Sequence, residues 1–156
     1  MDNIITITDK NLTLCQTYNS CYYSSFVFLI NVLINIYYGY YLYASLFLAL
    51  VITSLLYHSQ HTILTKMLDK LAIFTIVFYY TFYNKITDFI FNKKINIKQI
   101  ILSILIILTF LSTIVIYYYG YLNNCLCFCD NQIEADLFHS FMHCVSALGH
   151  GCIVIL

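Results

Sequence analysis

YYSSFVFLINVLINIYYGYYLYASLFLALVITSLLYH, residues 22–58, runs for 37 residues without a charged side chain. As a single helix it would be roughly 55 Å long, against a hydrocarbon core of about 30 Å. It therefore has to fold back once. The break falls at Tyr37-Tyr38-Gly39-Tyr40-Tyr41, where glycine permits a turn and the tyrosines suit a membrane interface. This predicts a first span near 22–38 and a second near 40–59.

Downstream, a short polar connection from Ser59 to Leu68 leads to a third expected span near 69–90, opening at Asp69. Lys85, Lys93, Lys94 and Lys98 surround the next connection. The segment IKQIILSILIILTFLSTIVIYYYGY, residues 97–121, contains the clearest span of all, near 98–120. A cysteine-rich acidic loop from Asn123 to Asp136 precedes a last span near 137–156. The expected fold class is all-α, a polytopic transmembrane helical bundle of about five spans. A polar segment, 1–21, precedes a single helical domain, 22–156. Met1 to Ser20 lacks a basic region followed by an apolar one, so the first span is expected to direct insertion.

Composition agrees. The chain is 62% hydrophobic and 9% charged, with mean hydropathy +0.82, which places it among integral membrane proteins. Seven lysines and no arginine balance seven acids, so nothing in the charge points to nucleic acid. The lysine-rich connection between spans three and four is expected on the cytoplasmic side. That places the opposite face in the lumen or outside the cell, where disulfides persist. Cys15, Cys21, Cys125, Cys127, Cys129 and the sequon Asn11-Leu12-Thr13 all fall on that face.

Against this background five polar residues are expensive to bury: Ser54-x-x-x-His58, Asp69, and His139-x-x-x-His143. A spacing of four puts both members of a pair on one helix face. Counting crossings brings all five to one side of the membrane. Three facing imidazoles suit Zn²⁺, with His58, His139 and His143 as ligands and the fourth position open to water. The ion lowers the pKa of that water and polarises a carbonyl oxygen. Asp69 is the candidate to orient the water and take its proton, and Ser54 to hold the water or a developing oxyanion.

Each residue also has a plainer reading. An intramembrane serine commonly bonds the carbonyl one turn back, and Asp69 could cap the third span. His61 reads as interfacial, with a smaller prospect of being an alternative ligand, and His150 as a partner to a neighbouring helix. Cys125-x-Cys127-x-Cys129 departs from the C-x₂-C zinc spacing and reads as disulfides or free thiols. Cys144 and Cys152 read as small core residues.

At SLLYH (54–58), Asp69 within KMLDKLAIF, and HSFMH (139–143), the chain resembles the CREST superfamily of membrane hydrolases. That group includes alkaline ceramidases, progestin and adipoQ receptors and myomaker-like proteins. The resemblance implies zinc on the three histidines, with Ser54 and Asp69 holding its water. It also implies hydrolysis of a lipid amide or ester, ceramide-type amides being a leading class. Seven spans are usual in that superfamily, so this chain would be a shortened member. Two functional readings follow: a zinc-dependent lipid hydrolase, or a non-catalytic membrane protein with structural zinc or a lipid-receptor role.

Overall fold

A computed structural model describes residues 20–78 and 96–156 as helices joined by tight connections, with no strand among them. Most of the polar N-terminal segment, Cys15, the Asn11 sequon, Lys85, Lys93, Lys94 and the later part of the expected third span lie outside the described residues. Helix α1 spans Ser20–Tyr37 and narrows to a 3₁₀ turn at Ser25–Val27. Phe28, Asn31, Val32 and Asn35 form its buried stripe, spaced as a helix requires.

The expected hairpin lies at Gly39. Its φ of +78° is the left-handed conformation glycine adopts cheaply. Gly39 N–H donates to Ile36 O and Tyr40 N–H to Asn35 O, the paired bonds of a Schellman ending. Helix α2, Tyr41–Gln60, then returns with Tyr43, Phe47, Leu50, Ser54 and His58 on one inward face. It stops at His61, whose φ is +48°.

Helix α3, Ile63–Thr75, starts six residues before the expected position. Thr62 caps it, with Thr65 completing a reciprocal capping box. Asp69 thus sits in the second turn and caps nothing, contrary to one of the readings above. Helix α4 runs over Ile97–Ile114 behind an Asn96–Gln99 capping box, then through a π-type segment, Val115–Tyr119, to Asn123. Helix α5, Gln132–Ile155, starts at the Asn131 cap, five residues ahead of the expected boundary. His139 and His143 consequently lie in its third and fourth turns, deeper in the helix than a start at 137 would put them.

In the bundle, α1 packs on α2 and α5, α2 on α3, and α4 on α5. Phe28, Tyr43, Phe47, Leu50, Val51, Ile76, Ala147 and Val154 form the apolar core. The α4–α5 approach is close enough that a Cβ at Gly149 would collide with Thr109 Oγ1. Four helices, α1, α2, α4 with its extension, and α5, are long and apolar enough to cross a membrane. The bundle thus has the architecture of a multi-pass membrane protein. The expected third span is described only through its first part, to Phe78.

Candidate metal centre

The site builds from the stripes that make the core. On α2 the spacing that turns Tyr43, Phe47 and Leu50 inward carries on to Ser54 and His58. On α3 the buried positions are Thr65 and Asp69, one turn apart, with Ile76 continuing the face. On α5, His139 and His143 share a face and approach α2 from the side. The three rings enclose a small space: centroids lie 5.1 Å apart for His58–His139, 5.5 Å for His58–His143 and 4.8 Å for His139–His143. One donor atom from each lies within 4.8 Å of the other two, so the trio can hold a metal ion. His58 and His143 are buried and His139 is partly so.

Two buried atoms at this place have no hydrogen-bond partner, His58 Nε2 and Asp69 Oδ1. Buried polar atoms are ordinarily paired, because desolvation without a new bond costs about 1–3 kcal/mol. An unpaired imidazole nitrogen beside two more imidazoles, with an unpaired carboxylate oxygen also buried in the bundle, suits a cation and a water. The donor set therefore fits Zn²⁺, which takes neutral imidazole nitrogens.

Helix α1 contributes a hydrogen-bonded relay that the sequence did not reveal. Ser24 Oγ donates to Cys21 O at 3.0 Å, and Ser25 Oγ donates to the same carbonyl at 2.9 Å. Each hydroxyl has one proton, so each must accept at its other contact. His143 Nδ1–H therefore donates to Ser24 Oγ at 2.8 Å, and Ser54 Oγ–H donates to Ser25 Oγ at 2.8 Å. The first bond leaves His143 Nε2 unprotonated and able to ligate. The second commits the Ser54 proton, leaving only lone pairs for the site. Ser54 can accept from a water here but cannot donate to an oxyanion, which removes half of its expected role. The tandem Ser24-Ser25 was visible in an apolar segment, but its partners are 29 and 119 residues away in the chain.

A cavity of about 520 Å³ opens beside the rings, within the usual 300–1,000 Å³ range of ligand pockets. Ser54, Asp69, His139 and His143 line its polar end. Phe28, Leu50, Ile73, Phe74, Ile76 and Phe110 supply much of its apolar wall. It lies against α5 and α2 and is flanked by α3 and α4.

The other histidines and the cysteines sort by place. His61 ends α2 and is outside the trio, with its ring 6.4 Å from that of His58. His150 is buried and hydrogen-bonds Tyr43 Oη on α2, as a helix-bridging partner should. The described cysteines are all free thiols. Cys152 is buried, but Cys144 faces outward, correcting its expected place in the core. Comparison with protein-family models, with curated proteins and with solved structures finds no match to this chain.

Proposed function

We propose that this chain is a zinc-dependent hydrolase that cleaves an amide or ester bond of a lipid within the bilayer, a shortened relative of the CREST hydrolases. The observation that supports it is the coincidence of three imidazoles, an unpaired carboxylate oxygen and an apolar cavity at one end of the bundle. His58, His139 and His143 would hold the ion. Bound zinc supplies Lewis-acid polarisation and a water of lowered pKa. Asp69 Oδ1 takes the proton of a water as its oxygen adds to the lipid carbonyl carbon. Returning that proton to the departing nitrogen or oxygen completes cleavage. Ser54 orients the water through a lone pair, and Ser24 keeps His143 in the ligating tautomer. The apolar wall accepts the acyl chain and excludes bulk water.

A purely structural zinc site has four protein ligands, whereas this trio leaves room for one more. The test has two steps. Metal content of detergent-purified protein is measured beside His58→Ala, His143→Ala and His61→Ala. About one zinc per chain, lost in the first two and kept in the third, is expected for a three-histidine site. Asp69→Asn is then expected to keep zinc and lose turnover of lipid amides or esters. Metal-free, well-folded wild-type protein overturns the reading. Zinc with no turnover in any lipid extract leaves the non-catalytic alternative.

A further inference from the structure

Asp69 lines the cavity together with His139 and His143, and its neighbour Lys70 lines it too rather than reaching into solvent. Successive helix positions differ by about 100°, which carries Lys70 toward α4. There its Nζ lies 4.6 Å above the centroid of the Tyr117 ring. Lys70 is partly buried, lines the cavity together with Tyr117 and Tyr118, and has no carboxylate in ion-pair contact among the described residues. A lysine near a membrane helix end ordinarily extends its ammonium into the headgroup layer. This one is held by an aromatic face, an attraction that leaves at least two of its three N–H donors available to a ligand. Among the described lining residues Lys70 is the one lysine and Asp69 the one carboxylate.

We infer that Lys70, braced on Tyr117, selects lipids whose head carries an anionic oxygen cluster, a phosphate or carboxylate, close to the bond to be cleaved. The inference deepens the hydrolase reading by naming its substrate class: an acyl lipid with an anionic head rather than a neutral one. A charge-assisted hydrogen bond from Lys70 to such a group is about twice as strong as a neutral one, while a hydroxyl head gains only the weaker bond.

Binding to metal-stripped protein in uncharged detergent separates this inference from the hydrolase reading. Three probes with the same chain are compared: oleate, oleoyl glycerol phosphate and neutral oleoyl glycerol. Wild-type protein is expected to bind the two anionic probes about tenfold more tightly than the neutral one, the scale of one charge-assisted bond. Lys70→Gln should erase that preference, Lys70→Arg should keep most of it, and Tyr117→Leu should weaken it. Lys66→Gln, which removes an exposed lysine one turn earlier, should leave it intact. Equal binding of all three probes overturns the inference, as does a preference that survives Lys70→Gln in folded protein. A preference seen only after zinc is restored assigns the anion to the metal and also overturns it. Loss of turnover or of metal alone bears on the hydrolase reading and leaves this result standing.

Discussion

Replacing Ser24 by alanine isolates what orients the third imidazole. Ser24 does not itself line the cavity, yet its hydroxyl joins His143 Nδ1 at 2.8 Å to Cys21 O at 3.0 Å. In Ser24→Ala the buried Nδ1–H has nothing to donate to unless the ring turns. Leaving such a donor unsatisfied costs about 1–3 kcal/mol. At about 1.4 kcal/mol per tenfold, that is roughly a 5- to 150-fold loss of zinc affinity, which brackets the 10–100-fold typical of outer-shell partners. Competition with a chromophoric chelator in detergent measures the affinity, and ¹⁵N shifts of the His143 ring report the tautomer. Ser24→Thr should restore both. Ser25→Ala is the matched control: it frees the Ser54 hydroxyl while leaving the His143 bond in place. If Ser24→Ala changes zinc affinity less than twofold while His143→Ala abolishes binding, the relay does not orient the ligand and the reasoning is wrong.

Other substitutions probe the frame around the site. Tyr43→Phe strips His150 Nδ1 of its partner in a fully buried place and should cost about 1–3 kcal/mol in thermal unfolding, with zinc content unchanged. Gly149→Ala drives a Cβ into Thr109 Oγ1 across the α4–α5 contact and should cost about 1–3 kcal/mol; Thr109→Ala beside it should recover part of the loss. Gly39→Ala meets no atom within 4 Å, so its penalty is backbone alone, about 1–2 kcal/mol, and Gly39→Asn should be milder. An unchanged melting temperature in Gly39→Ala would show that the turn relaxes out of the left-handed region.

The hairpin at Gly39 and the spans on either side were legible because a bilayer limits helix length and glycine is the cheap left-handed residue. Boundaries set by polar capping were less so. The reciprocal Thr62–Thr65 box starts α3 in the segment first read as a connection, and Asn131 starts α5 ahead of the apolar run. Hydropathy locates the oily part of a helix, whereas capping hydrogen bonds decide where the backbone begins to coil. The same distinction explains Cys144: an apolar residue in a membrane helix can satisfy either the core or the lipid, so composition alone does not choose.

For the site, periodicity was enough to pair Ser54 with His58 and His139 with His143, since a four-residue step on a helix fixes a shared face. Counting the expected crossings put these pairs at one end, and the bundle does bring His58, His139 and His143 together. The direction of each proton was not legible. Whether Ser54 donates to the site or to Ser25, and which nitrogen of His143 is free, depends on α1 lying against α2 and α5 with Cys21 O as the common acceptor. The turn of Lys70 onto Tyr117 likewise depends on where α3 stands relative to α4. The linear order of residues determined which groups share a helix face, because that is local geometry. Only the tertiary structure decided which of their atoms remain unpaired, because hydrogen bonds between helices join positions that are far apart in the chain.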